Sequence, residues 1–158
     1  MQPLRMLKIK PGGFQFIQQI DIDASPQKTW KALINIGGWF NIAPGEGRSL
    51  KLEPWAGGRF YSKQGDIEHL NAIVTYIEPH KLIRFSGQMG MSHLPVISAF
   101  IFQLEPKGNG TLLKLCHRCY GMIDTEAKQR YSGGWKQLLA KLKAFSETGK
   151  RQGPSLAR

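Results

Sequence analysis

The residues able to do chemistry are few, and His117 leads them. It shares strand parity with Leu113 and Leu115, while Lys114 and Arg118 point the other way. An imidazole on the apolar side of a strand can orient or protonate a ligand, or can be a core histidine bonded to a neighbour. Cys116-His117-Arg118-Cys119 spells C-x-x-C. In a strand, residues three apart face opposite sides, so the two thiols cannot chelate one metal. A thioredoxin-type pair needs a helix N-terminus as well. His69, His80 and His93 show no ligand spacing with them, and no zinc signature occurs, so no metal is expected. Asp66 and Glu68 flank a turn on one strand, the pattern of a solvated edge rather than of an acid–base pair. Gly57-Gly58 is too brief to cradle a phosphate, and neither a Gly-x-Ser-x-Gly elbow nor a dinucleotide fingerprint is present, so no cofactor is expected.

The aromatic and methionine set is richer. Trp39, Phe40, Phe60, Phe85, Met89, Met91, Phe100, Phe102, His117, Tyr131, Trp135 and Leu138 are the candidate ligand-binding residues. Most aromatics in any domain are core, yet this set exceeds what a small sheet–helix seam requires. Met89 and Met91 lie in the glycine-containing stretch 87–95, where soft side chains can line a pocket mouth.

The elements that must position these residues follow from periodicity and turn chemistry. Phe14, Phe16, Gln18, Ile20 and Ile22 alternate as a half-buried strand, read as 14–24. Ser25-Pro26 opens a short helix, with Trp30, Leu33 and Ile34 on one face. Gly37-Gly38 breaks it, and Trp39-Phe40 starts a second short helical piece before the loop 44–47. Six strands follow at 48–53, 59–63, 68–77, 82–86, 96–104 and 111–119, divided by short turns that suit antiparallel hairpins. The stripe Tyr131, Trp135, Leu138, Leu139, Leu142 and Phe145 places a long helix within 125–148. Gly133-Gly134 either starts that helix or marks a close backbone approach. The fold class is α+β: a curved antiparallel sheet gripping a C-terminal helix, with two short helices after the first strand. A space between sheet and helix would be concave and apolar, the character of a small-molecule site.

Length and charge set the frame. The chain has 158 residues, enough for one domain with its own core. The expected division is a basic extension at 1–13, a domain at 14–148 and a basic tail at 149–158. No apolar run reaches the roughly 20 residues of a membrane span, and no secretory signal is visible, so a soluble cytoplasmic domain is the expectation. The net charge is +11. Residues 1–13 contribute +3 and residues 136–158 contribute +5, leaving +3 for the long middle. The excess belongs to the ends, as solvated basic segments or as weak contacts to an anionic surface. Specific nucleic-acid recognition is not expected, because the aromatics hold buried-pattern positions rather than interleaving with Lys and Arg.

Several stretches together resemble the SRPBCC superfamily. They are Ala24-Ser25-Pro26 with Trp30-Lys31-Ala32-Leu33; Trp39-Phe40; Gly57-Gly58-Arg59-Phe60; Ile77-Glu78-Pro79 with Leu82; Phe102-Gln103-Leu104-Glu105-Pro106; Gly110-Thr111; Leu113, Leu115 and His117; and Gly134-Trp135 with Leu138 and Leu142. In order and spacing they span residues 16–147. The nearest branch is similar to the C-terminal domain of the activator of the 90-kDa heat-shock protein ATPase. The resemblance implies a START-like helix-grip fold with a pocket between sheet and long helix. It leaves three functions open. One is binding of a small hydrophobic or amphipathic molecule, lipids included. The second is a cyclase- or hydrolase-like reaction with His117 as general acid or base, the less favoured because no catalytic set is complete. The third is stimulation of a chaperone ATPase, with the chaperone as partner.

Overall fold

The computed structural model of the chain describes residues 10–41 and 49–153. Seven strands form one antiparallel sheet: β1 (Gly12–Ile22), β2 (Ser49–Leu52), β3 (Arg59–Gln64), β4 (Ile67–Glu78), β5 (Leu82–Gly87), β6 (Val96–Lys107) and β7 (Gly110–Gly121). Their spatial order is β1-β7-β6-β5-β4-β3-β2. Consecutive strands from β2 to β7 are therefore neighbours, and β1 closes the far edge against β7, with Gly12 opposite Gly121 and Ile22 opposite Thr111. Helix α1 (Pro26–Ile34) follows β1, and helix α2 (Ala127–Thr148) follows β7. This is the α+β helix-grip arrangement.

Local chemistry explains the elements. The Ser25 hydroxyl caps α1 by accepting the Lys28 N–H, and Pro26 occupies the first turn, where its missing N–H costs nothing. The β6–β7 hairpin turns at Gly108, whose φ of +58° suits a residue without a Cβ. Along β6, Val96, Ser98, Phe100, Phe102 and Leu104 are buried while Ile97, Ala99 and Gln103 are exposed. That period-two pattern directs one face of the sheet at the helices. From α2, Trp135, Leu138, Leu139 and Leu142 bury against this face, among Phe60, Phe85, Phe100, Phe102, Leu113 and Leu115. Each such side chain contributes roughly 1.5–3 kcal/mol by leaving water. The Thr111 hydroxyl, donating to the Ala24 carbonyl at 2.7 Å, ties β7 to the start of α1.

The structure corrects several expectations. The strand read as 14–24 runs Gly12–Ile22, so Gly12 and Gly13 belong to the sheet rather than to an extension. Residues 1–9, the 44–47 loop and residues 154–158 lie outside the described residues. The second short helix is not built on Trp39-Phe40. It is a three-residue 3-10 turn, Ile36–Gly38, which Trp39 ends. Gly38 leaves room there for the Phe145 ring, which lies 2.4 Å from where a Cβ would be and would have to shift to admit one. Most strands extend one to three residues past their predicted ends; β2 is shorter and lies within the predicted 48–53. The glycine pair Gly133-Gly134 neither starts α2 nor meets a close neighbour. The helix runs through both, and a Cβ at either would find nothing within 4 Å. Among the described residues no helix is long and apolar enough to cross a membrane.

Candidate functional site

The empty space beside Gly134 is one wall of a cavity of about 350 Å³ between the N-terminal half of α2 and the open end of the sheet. It falls near the lower end of ligand-pocket volumes, roughly 300–1,000 Å³. Gly134, Trp135, Leu138, Tyr131 and Arg130 line it from α2, Phe40 from the segment after the 3-10 turn, Asn71 from β4, and Met89 and Gly90 from the β5–β6 connection.

Each wall has a local cause. Arg130, Gly134 and Leu138 recur every four residues and Tyr131 and Trp135 accompany them, so one face of α2 supplies five lining residues. Asn71 is presented by a β-bulge. Tyr61 pairs with Leu70 and Phe60 with Ala72, leaving Asn71 as the extra residue of β4. A bulge re-aims the side chain it carries, which strict alternation could not do. Leu70 is pushed to the outer side, where it is half exposed. Next to the bulge, a Cβ on Gly87 would lie 2.5 Å from the Asn71 carbonyl oxygen, so only glycine lets β5 approach here. The Met89 amide donates to that same carbonyl at 3.1 Å.

The connection is also fastened from the helix side. The Tyr131 hydroxyl donates to the Met89 carbonyl at 2.6 Å. Burial pushes the Tyr131 hydroxyl up to about 12, so it remains a donor at neutral pH. Met89 sits at φ +43°, in the left-handed region that a side chain seldom adopts, and Gly90 at +85°. The two hydrogen bonds hold this strained turn over the cavity.

His117 lies behind the wall rather than in it. It is fully buried, with the Trp135 indole N–H donating to its Nδ1 at 2.9 Å and its Nε2 3.0 Å from the Ser98 hydroxyl oxygen. An indole N–H can only donate, so Nδ1 must be unprotonated and Nε2 must carry the proton toward Ser98. Burial lowers the imidazole from 6.5 to about 4. The ring is thus a neutral bracket joining β6, β7 and α2. In a hydrolytic Ser–His pair, Nε2 accepts from the serine while Nδ1–H donates a hydrogen bond to a carboxylate. Here both polarities are reversed, so this geometry does not support His117 as a general base.

Of the twelve residues singled out from sequence, Phe40, Met89, Tyr131, Trp135 and Leu138 line the cavity. Trp39, Phe60, Phe85, Phe100 and Phe102 form the core beneath it. Met91 packs in a smaller cluster with Phe14, Val96, Cys119 and Ala127. Four lining residues escaped the sequence reading as site candidates: Asn71, Gly90, Arg130 and Gly134. Of these, only the Gly133-Gly134 pair left a signal, a break in helix propensity without a structural break. Cys116 is half-buried on the outer face and Cys119 buried on the inner one. Among the described residues, no group of three His, Cys, Asp or Glu could hold a metal ion.

Electrostatically the lining is sparse. Arg130 is its one charged residue among those described, and it pairs with Asp124, Nη2 to Oδ2 at 3.3 Å, both half-exposed. The guanidinium holds the Asp124 carboxyl below its ordinary value. No described lining side chain is a nucleophile with a base in reach. The arrangement can enclose an apolar body and bond a polar end, which is binding chemistry.

The family described as Activator of Hsp90 ATPase homolog 1-like protein matches residues 23–147. Among solved structures, an uncharacterized protein from Rhizobium leguminosarum is 16% identical with a TM-score of 0.69, covering 87% of this chain and 96% of its own. A conserved protein of unknown function from Enterococcus faecalis is 21% identical with a TM-score of 0.67, covering 92% and 78%. CalU16 from Micromonospora echinospora is 22% identical with a TM-score of 0.63, covering 89% and 85%. At such identities the likeness is one of fold alone. No curated protein matches the chain.

Proposed function

The chain belongs to the Activator of Hsp90 ATPase homolog 1-like family, and from that premise we propose that it binds a small hydrophobic or amphipathic molecule in the cavity beside Gly134 and Trp135. The observation that carries this reading is the glycine pair inside α2. Glycine in a helix interior costs about 1 kcal/mol relative to alanine. Here no neighbour requires the missing Cβ at 134; the space it leaves is part of the cavity. The aromatic and aliphatic walls supply the apolar contact that gives small ligands their affinity.

The test is native mass spectrometry of freshly purified protein, followed by thermal-shift measurements with lipids and aromatic acids. A co-purifying species, or a stabilising shift from one chemical class, is expected. No bound species and no shift across a broad panel would count decisively against the proposal.

A second reading, stimulation of a chaperone ATPase, draws on the family's description and would use exposed surface instead. Ile17, Ile97 and Tyr120 lie on the outer face of the sheet at 63, 60 and 61% exposure, a place where a partner could pack. A pull-down that recovers no chaperone would remove it.

A further inference from the structure

Resting on the binding reading above, we propose that the cavity selects an amphipath with a single carboxylate, whose apolar body lies against Trp135, Phe40 and Leu138 and whose acid head meets Arg130, Asn71 and the Gly90 amide at the mouth. The inference comes from which polar groups the protein has already used. Two of the backbone carbonyls at the mouth are taken: the Asn71 oxygen accepts from Met89 N–H, and the Met89 oxygen accepts from the Tyr131 hydroxyl. What remains is mostly donors. Among the described residues, neither the Asn71 side-chain amide nor the Gly90 N–H has a protein partner. Arg130 gives two of its N–H groups to Asp124 and keeps the rest. Among the described residues three neutral acceptors persist, Oδ1 of Asn71, the Tyr131 hydroxyl oxygen and the Gly90 carbonyl, fewer than the free N–H groups. They can receive a carboxylic proton or a bridging water, but none carries a charge to attract a cation.

Charge then decides the sign of the head. Arg130 is the sole charged residue described in the lining, and Asp124, which faces it, is not part of the lining. The planar guanidinium suits a carboxylate, which can replace or share the Asp124 contacts. Position supports the same orientation. Gly90 and Arg130 are exposed and Asn71 half-buried, while Trp135 and Leu138 are buried, so polarity is graded from mouth to floor. A ligand with charge at its centre or at both ends would have to desolvate one charge against Trp135 and Leu138, which is costly. The bulge at Asn71 serves this arrangement, since a regular strand would turn that amide away.

The experiment compares three probes with one body, decanoate, 1-decanol and decyltrimethylammonium, each below its micelle concentration. They are titrated into the full chain by calorimetry at low and physiological salt. Decanoate is expected to bind about tenfold more tightly than decanol, the size of one charge-assisted hydrogen bond, and the ammonium more weakly than either. Arg130→Gln, a change at an exposed side chain, is expected to bring decanoate to within about twofold of decanol. Asp124→Asn should tighten decanoate by freeing the guanidinium. Gly134→Leu, which fills the cavity, should abolish all three. Decanol or the ammonium binding as tightly as decanoate would overturn the carboxylate assignment while leaving the binding proposal intact. Decanoate preference unchanged in Arg130→Gln would also overturn it. If no probe binds, the binding proposal falls and the head-group assignment with it.

Discussion

Replacing Gly134 with alanine tests the site through stability alone, and Gly133 provides its control. Both glycines lie inside α2, and a Cβ at either meets nothing within 4 Å. Each replacement should therefore recover the helix propensity that glycine forfeits, about 1 kcal/mol, part of it by restricting the unfolded chain. For a chain of this length that is roughly 2–4 °C in Tm. The two positions differ in what they face. Gly133 is exposed, whereas Gly134 lines the cavity. Urea denaturation should show both variants shifting to higher midpoints with an unchanged slope, the signature of a stability change alone. Ligand affinity should stay the same in Gly133→Ala, fall in Gly134→Ala, and vanish in Gly134→Leu. A destabilised Gly134→Ala beside a stabilised Gly133→Ala would refute the reasoning, because a neighbour would then occupy the space. Full ligand binding by Gly134→Leu would place the ligand elsewhere.

Three further outcomes follow from the His117 bracket and from the Tyr131–Met89 hydrogen bond. His117 has a folded pKa near 4 against 6.5 ordinarily, so as pH falls the unfolded chain takes up its proton first. The stability from this group is whole above about pH 6.5 and lost between there and about pH 4, roughly 3 kcal/mol over the window. Denaturation curves at pH 7 and pH 4 should show His117→Gln losing less than the native chain by that order. Trp135→Phe removes the only described donor to Nδ1 of His117, which should cost about 1–3 kcal/mol beyond the lost ring contacts. Nitrogen NMR of the imidazole should then show the Nδ1–H tautomer appearing alongside Nε2–H; an unchanged tautomer would contradict the assignment. Tyr131→Phe should cost about 1 kcal/mol and speed hydrogen exchange at Met89 and Met91, and exchange rates matching the native chain would show that the hydroxyl does not hold the connection.

Much of the fold was legible because the signals were local. Alternation along β6 and β7, turn chemistry at Lys107–Gly110 and the stripe on α2 are each contained within about a dozen residues, and each identified its element. The parity of Leu113, Leu115 and His117 correctly turned the imidazole inward. What parity cannot supply is a partner. Ser98 and Trp135 reach His117 only once β6, β7 and α2 are packed, so whether the ring was a bracket or a base was not written in any one segment. The cavity was hidden for a related reason. Asn71 reaches it through a bulge, which shifts parity by one residue and defeats the alternation rule. Gly134 reads as a flaw in a helix, and its meaning lies in the void beside it. Trp39-Phe40 misled because two aromatics after Gly-Gly look like a new amphipathic start, whereas the turn is Ile36–Gly38 itself, and the Phe145 ring that packs on Gly38 lies 107 positions away in the chain.

The pairing of β1 with β7 has a consequence for how the protein is made. β1 leaves the ribosome before every other strand of the sheet, yet its hydrogen-bonding partner is the last of them. At roughly 5–20 residues per second, several seconds pass before residues 110–121 follow. Throughout that interval β1 shows unpaired amides and carbonyls, with Phe14, Phe16, Ile20 and Ile22 on one side and Ile17 on the other. The hairpins from β2 to β7 can zip in order as they appear, but β1 joins the sheet only once β7 has been made. Nascent chains stalled before Gly110 should thus be the species that aggregates or recruits a holdase, and the vulnerable segment is the one farthest from the stall.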